Sequence, residues 1–156
     1  MRRVGLRNKS RTNTLFFDTY SVREGETPEI IAHKLYGDSE LHWVVMLVND
    51  VIDRYHDWPM STPQFNSYIN QKYVDSDGDP NPSGVHHYEI AQTSGDTSIT
   101  IEVPSNTGAN VGASIVTNYE YEQRLQDKKR QIRLLDPRYI PSVVEEYKIL
   151  MNESSI

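Results

Sequence analysis

The sequence contains no cysteine. Disulfide staples, zinc–thiolate centres and thiol catalysis are thereby excluded, while the redox compartment stays open. Long apolar runs are missing as well: no window approaches the roughly 18 apolar residues of a membrane-crossing helix. The arginines at positions 2 and 3 lead into no hydrophobic stretch, so neither a secretory leader nor a membrane span is expected. No phosphate loop, dinucleotide fingerprint, nucleophile elbow or zinc-protease motif is present. None of His33, His42, His56, His86 and His87 makes a helical i, i+4 pair with another. His86 and His87, adjacent in a strand-like run, are expected on opposite faces, which argues against metal ligation. Glu24, Glu26 and Glu29 flank a helix start, where the macrodipole favours carboxylates without any catalytic role. Asp57 beside Trp58 is one acid, and glycoside hydrolysis takes two. No catalytic, cofactor-binding or metal residue is expected, and the protein is not expected to be an enzyme.

Positive charge is in short supply, with 16 Lys and Arg against 22 Asp and Glu and a net charge of −6. That balance argues against a nucleic-acid binder. Its distribution is uneven, because Arg2, Arg3, Arg7, Lys9 and Arg11 all precede the first acid, Asp18. Residues 1–14 read as a flexible basic arm, either simply solvated or ordering on an acidic neighbouring subunit. Ten tyrosines and two tryptophans are many for 156 residues, and such side chains suit both cores and interfaces.

Residues 20–59 carry an unbroken series of local signals. Tyr20-Ser21-Val22 alternates like a strand, and Glu24-Gly25-Glu26 supplies a turn. Thr27 caps a helix whose first turn takes Pro28, and Gly37 ends it after Ile31 and Leu35, four apart on one face. Asp38 or Ser39 caps a second helix, in which Leu41, Val44, Val45 and Val48 form a stripe that Trp43, Met46 and Leu47 widen. Ile31, Leu35, Trp43, Val44, Leu47, Val48 and Trp58 are the expected core of this stretch. Leu15-Phe16-Phe17 is a short apolar run for which pairing with Tyr20–Val22 and docking elsewhere are both open.

Ser61-Thr62-Pro63 opens a third helix with Phe65, Tyr68, Ile69 and Tyr73 on its buried face. Residues 75–84, DSDGDPNPSG, read as an acidic linker. They do not make a calcium loop, since Pro80 and His86 stand where glycine and an acid are needed. Beyond it Tyr88 and Ile90, then Ile99, Ile101 and Val103, alternate around Ser94-Gly95-Asp96, which predicts a β-hairpin. After a loop over 104–112, a third strand over 113–118 would make a small sheet over 85–118, its apolar face covered by a helix. Residues 119–156 read as helical: Glu120 and Arg124 form an i, i+4 pair, Tyr121, Leu125 and Ile132 a narrow stripe, and Lys128, Lys129, Arg130 and Arg133 a basic cluster. Leu134-Leu135-Asp136-Pro137 breaks the helix, and a last one from Pro141 sets Val143, Val144, Tyr147, Leu150 and Met151 on one side, to dock on its own core or on another chain.

Tyr20, Val22, Gly25, Thr27, Ile31, Ala32, Leu35, Tyr36-Gly37-Asp38, Trp43, Asn49 and Ile52 resemble a LysM-type module, a compact βααβ unit. The chain departs from that pattern at Asp53-Arg54-Tyr55-His56-Asp57-Trp58-Pro59-Met60, where a Pro-Gly turn and a closing strand usually follow. The whole of residues 15–152 resembles the baseplate wedge protein family of T4-like contractile-tailed phages, the gene 53 product family. The resemblance rests on Ile31-Ala32-His33-Lys34-Leu35-Tyr36-Gly37-Asp38-Ser39-Glu40-Leu41-His42-Trp43, Asn49-Asp50-Val51-Ile52-Asp53, Asp57-Trp58-Pro59-Met60-Ser61, Asn118-Tyr119-Glu120-Tyr121-Glu122 and Lys129-Arg130-Gln131-Ile132-Arg133-Leu134-Leu135.

The resemblance implies an α+β fold: a LysM-like strand-helix-helix module with a third helix over 15–74, then the small antiparallel hairpin or three-stranded sheet and C-terminal helices. It also implies a structural virion component without cofactor, located in the tail baseplate and assembled in the host cytoplasm. Such a protein binds other wedge proteins and the tail hub or tube, in multiple symmetric copies, and helps join neighbouring wedges into a ring, without nucleic acid or membrane. Arg2, Arg3, Arg7, Lys128, Lys129, Arg130 and Arg133 are the expected partner-binding residues. The competing reading is a peptidoglycan-binding LysM-type module of a tail or cell-wall protein.

Overall fold

The computed structural model describes residues 16–92, 96, 99–104, 107 and 112–153, which group into two compact units, one of the described residues up to 59 with those from 129 onward and one of those between 60 and 128. In the first unit, strand β1 (Phe17–Ser21) leads through a turn, with Gly25 at φ 75°, into helix α1 (Pro28–Tyr36). The Thr27 hydroxyl accepts the Ile30 N–H, Pro28 fills the first turn, and Gly37 closes the helix at φ 77°, a left-handed conformation that suits a residue without Cβ. The Asp38 carboxylate caps a short 3-10 turn (Ser39–Leu41) that runs into α2 (His42–Val48), and a single turn, α3 (Arg54–Asp57), follows.

The partner of β1 comes from the far end of the chain. Residues 131–135 were expected to prolong a helix, but Gln131–Leu135 form strand β5, antiparallel to β1 with Phe17 opposite Leu135 and Ser21 opposite Gln131. Ile132, Leu134 and Leu135 are buried while Gln131 and Arg133 are exposed. That period-two burial overrides the helical spacing of Ile132 with Leu125 and Tyr121. Phe17 and Tyr20 thus lie in one strand, so Leu15-Phe16-Phe17 does not pair back on Tyr20–Val22.

Val22, Ile31, Ala32, Val45, Trp58, Ile132 and Leu134 make one apolar cluster. Val44, Val48, Leu135 and Ile140 make a second, flanked by Phe16, Phe17, Trp43, Tyr139, Val143 and Val144. Leu35 is a correction to the expected core, being exposed. The inward stripe of α1 runs through Pro28, Ile31 and Ala32, which directs Tyr36 rather than Leu35 inward in the last turn. The Tyr36 hydroxyl donates to the Leu135 carbonyl at 3.1 Å, and burial pushes the phenol up to about 12.

Asn49 acts as a short extra strand on β5. Its amide nitrogen donates to the Arg133 carbonyl and its amide oxygen accepts the Arg133 N–H, both at 2.8 Å. Asn49→Ala removes both of these bonds from the Arg133 peptide group at the sheet edge, and a loss of about 1–3 kcal/mol is expected in denaturant unfolding. An unchanged unfolding midpoint would show that water replaces the amide at no cost.

After the 3-10 turn Pro137–Tyr139, the last helix, α6 (Ile140–Glu153), packs through Ile140, Val143 and Val144, while Tyr147 lies 4.4 Å from Trp43 between ring centroids. Its outer residues Ile149, Leu150 and Met151 stay exposed.

In the second unit Ser61 starts α4 (Thr62–Lys72), its backbone N–H donating to the Gln64 side chain, and Phe65 and Ile69 are buried. The helix expected to belong with residues 15–74 therefore groups with the sheet. Residues 75–80 fold back on themselves: the Asp75 carboxylate accepts the N–H groups of Asp77 and Asp79, and Val74 bridges to Pro80. Strands β2 (Val85–Ala91), β3 (Thr100–Val103) and β4 (Ser114–Thr117) form an antiparallel sheet in the order β3-β2-β4. The Ser94-Gly95-Asp96 turn and most of the 104–112 loop lie outside the described residues.

Helix α5 (Asn118–Arg130) follows β4 directly. Thr117 and Glu120 exchange hydrogen bonds in a capping box, so Glu120 is not free to pair with Arg124, which instead reaches Glu89 at 2.8 Å. Asn118 binds back to residues 81–84, its N–H to the Gly84 carbonyl and its amide to the Asn81 carbonyl. A Cβ on Gly84 would sit 2.8 Å from the Asn81 side-chain amide and 2.9 Å from that of Asn118, so a larger residue there would have to displace these two side chains.

Candidate functional site

The turn before α1 contains a buried carboxylate. Glu26 is 8% exposed and accepts hydrogen bonds from the Tyr20 hydroxyl at 2.7 Å, the Arg23 N–H at 2.9 Å and the Lys34 ammonium. Its backbone carbonyl accepts the Trp58 indole N–H at 2.8 Å. Burial pushes the carboxyl up, yet the bonds from Lys34, Arg23 and Tyr20 outweigh it and hold the group at about 2. This is a structural tie between strand, helix and connector, and it consumes one of the carboxylates expected merely to face a helix dipole.

A depressed carboxylate stabilises the fold fully above its ordinary value near 4.5 and loses that contribution as pH falls through about 2. The contribution is about 1–2 kcal/mol after allowance for the half-exposed Lys34 ammonium. Unfolding free energy is expected to fall between about pH 5 and pH 2, and Glu26→Gln to flatten that slope. An equal slope in the variant would assign the acid sensitivity to other carboxylates.

The expected partner-binding residues separate once placed. Arg2, Arg3 and Arg7 lie outside the described residues. Lys128 is exposed at the end of the second unit. In the first unit, the Lys129 ammonium donates to the His56 carbonyl at 2.6 Å, and Arg130 reaches the Val22 carbonyl and the Glu24 carboxylate at 3.4 Å each. Arg133 holds its guanidinium 5.8 Å from the centre of the Phe17 ring. Lys129 and Arg130 therefore brace the fold, and replacing the four cations together would disturb it.

Exposed apolar side chains identify further surfaces in the first unit. Tyr55 is 82% and Ile52 66% exposed, on a turn held rigid by Asp57, whose carboxylate accepts the Ile52 and Asp53 N–H groups, and by Asp53, which accepts the Tyr55 N–H. Ile149, Leu150 and Met151 on α6 add a second surface. Tyr55 falls inside the segment that departs from the LysM pattern, and Ile52 is the last matching position before it. No periodic signal marked the surface, because both residues read equally well as core.

The second unit is organised around a buried acid. Glu122 is 2% exposed, and its carboxylate accepts from the Lys72 ammonium at 2.6 Å and the Tyr73 hydroxyl at 2.8 Å. The hydrogen bond that Lys72 donates to Glu122 holds the ammonium well above the usual lysine range, and burial followed by the bond to Glu122 pushes Tyr73 up to about 12.

His86 and His87 do not diverge to opposite faces. A register shift in β2 between Val85 and His87 brings their Nδ1 atoms to 2.8 Å, His86 stacks on Tyr121, and His87 approaches Glu89 at 3.1 Å. Among the described residues no three His, Asp or Glu side chains gather as metal ligands.

Helix α5 covers the polar face of the sheet, that of His87, Glu89 and Val116, through Tyr121 and Arg124. The cover expected over the apolar face thus lies on the opposite one. Cross-strand partners share a face, so Tyr88, Ile90, Ile101, Val103 and Ile115 line the other side. Ile101 and Ile115 there are 47% and 50% exposed.

Taken together, the described residues form an α+β protein with its buried acids tied up in structural hydrogen bonds and its exposed apolar groups gathered on separate surfaces, the make-up of an assembly component. The family profile described as Base plate wedge protein 53 matches residues 8–154, and the chain belongs to that family. It is 26% identical over 148 residues to the baseplate wedge protein gp53 of Enterobacteria phage T4, an alignment covering 87% of this chain and 74% of the relative. Membership makes it a viral structural protein of the phage tail baseplate. No helix among the described residues is long and apolar enough to cross a membrane.

Proposed function

We propose that the protein binds other wedge subunits and helps join neighbouring wedges into a ring around the hub, with residues 16–59 and 129–153 acting as a rigid docking body. The match to the wedge family across residues 8–154 carries this reading. It is supported by the rigidly held, exposed Ile52 and Tyr55 and by the exposed end of α6. A LysM-like origin of the first unit is part of the proposal: a strand, two helices and a closing antiparallel strand are all present, although the closing strand is β5 instead of the segment after Asn49.

The test is complementation of a phage lacking the gene with a Tyr55→Ala, Ile52→Ser variant. Both side chains are largely outside the core, so circular dichroism and the unfolding midpoint should match the parent. Phage yield is expected to drop by about tenfold or more, with wedges accumulating unjoined, since apolar and aromatic anchors dominate interface energies. Full complementation by a normally folded variant would remove this surface from the proposal.

A further inference from the structure

Strands β1 and β5 form a two-stranded sheet in the first unit, so each has a free edge. In an antiparallel pair, alternate residues exchange hydrogen bonds with the partner strand, and those between them direct their N–H and C=O groups outward. The bonds from the Asp136 N–H to the Phe16 carbonyl and from the Val22 N–H to the Arg130 carbonyl fix the phase, so Asp18 and Tyr20 bond to β5. The outward residues are then Phe17, Thr19 and Ser21 on β1, and Gln131, Arg133 and Leu135 on β5.

The two edges differ. On β5, Asn49 takes both backbone groups of Arg133, and the Tyr36 hydroxyl takes the Leu135 carbonyl. On β1, no described residue bonds to the outward N–H and C=O groups of Phe17, Thr19 and Ser21, and Asp18, Thr19 and Ser21 are exposed. The strand has no lysine, proline or bulge to blunt its edge, and Phe17, Thr19 and Tyr20 are strand-favouring residues. Open backbone groups on such a strand are a site for another strand.

The edge itself selects the occupant. Antiparallel to its own counterpart, β1 sets Thr19 opposite Thr19 of a second copy, and Phe17 and Ser21 opposite each other, so that every outward group is used. A slip toward Phe17 loses a bonded pair and sets Asp18 against Asp18, two like charges face to face. In the Thr19 register Asp18 stands opposite Tyr20, and a threonine pair, a favourable cross-strand combination, holds the centre. The resulting strand order, β5-β1-β1-β5, ends on edges where Asn49 and Tyr36 already bind. A foreign strand would bring an open edge of its own.

We propose that β1 pairs antiparallel with β1 of a second copy, making one continuous sheet across a two-fold axis at Thr19. The contact is isologous and closes at two copies, so it goes beyond the Ile52–Tyr55 surface proposed to join wedges. A strand of 5 residues buries well under the ~800 Å² per partner of a standard interface, so the pair dissociates in the micromolar range.

Sedimentation velocity of the purified full chain over a concentration series should show a monomer–dimer equilibrium. Amide exchange reads the register: with rising concentration the Phe17, Thr19 and Ser21 N–H groups gain at least about tenfold protection, while those of Asp18 and Tyr20, already bonded to β5, do not change. Thr19→Pro removes an N–H that β5 does not use and should weaken dimerisation at least about tenfold. Thr19→Lys and Thr19→Glu each oppose like charges and should be monomeric, while their equal mixture re-forms a pair.

The lysine and glutamate variants change only an exposed side chain, so they decide the matter even if Thr19→Pro unfolds. A monomeric parent chain, equal protection of alternate residues, undiminished association of Thr19→Lys, or failure of the mixture to pair would each overturn the proposal. The Ile52→Ser, Tyr55→Ala variant should dimerise like the parent; loss of its dimer would move the contact to that surface and overturn the β1 pairing.

Discussion

Trp58→Ala is expected to lower the stability of the first unit by about 3–5 kcal/mol, the largest single loss in the chain. The side chain is 5% exposed and sits in the cluster of Val22, Ile31, Ala32, Val45, Ile132 and Leu134, so truncation opens a cavity lined by both ends of the chain. It also frees the Glu26 carbonyl, which accepts the indole N–H at 2.8 Å. Trp58→Phe separates the two effects. It restores most of the packing and forfeits the hydrogen bond, for a loss of about 1–2 kcal/mol beyond the small change in volume. Denaturant unfolding, with hydrogen exchange at Ile132 and Leu134, measures both. Equal losses for Phe and Ala would show that the indole stabilises the unit through its hydrogen bond and not through its packing.

Glu122→Ala should act on the second unit alone, with a loss of about 1–3 kcal/mol, since the Lys72 side chain that loses its partner is 43% exposed and partly solvated. Removing the carboxylate leaves the Tyr73 hydroxyl without its acceptor and the Lys72 ammonium without its counter-charge in a site where the acid is 2% exposed. Glu122→Gln keeps the shape and an acceptor but loses the charge, and an intermediate loss is expected. Hydrogen exchange should speed up across α4 and α5 and stay unchanged in α1 and β5. Uniform acceleration through both units would show that they unfold as one, and no loss in Glu122→Ala would mean that the pair is solvated in the folded state.

A buried acid is where composition misleads most. Glu26, Glu89 and Glu122 are each of a residue type found mostly on surfaces, and nothing in their spacing distinguishes them from Glu120 or Glu145. What sets them apart is convergence of several partners on one carboxylate: Lys34 and Tyr20 on Glu26, Lys72 and Tyr73 on Glu122 and Arg124 and His87 on Glu89, of which Lys72, Tyr73 and Arg124 come from tens of positions away. Arg130 and Lys129 show the converse. A run of cations read as a solvated or partner-facing cluster, yet two of its members brace carbonyls from Val22 and His56.

The helix starts at Thr27-Pro28 and Ser61, the stop at Gly37 and the alternation of β2 and β3 were legible because each depends on neighbours within four or five residues: a cap, a fixed φ, a left-handed turn, a period of two. Those signals marked helices and strands one by one, and the family resemblance implied the α+β class. Tertiary structure alone decided the rest. It turned Gln131–Leu135 into the strand that closes the first unit, because β1 offers an unpaired edge and an apolar cluster that only a period-two segment can complete. It chose Tyr36 over Leu35 for the interior and placed α5 on the polar side of the sheet. In each case the energy lies in pairing or burial between residues tens of positions apart, which no local pattern can register.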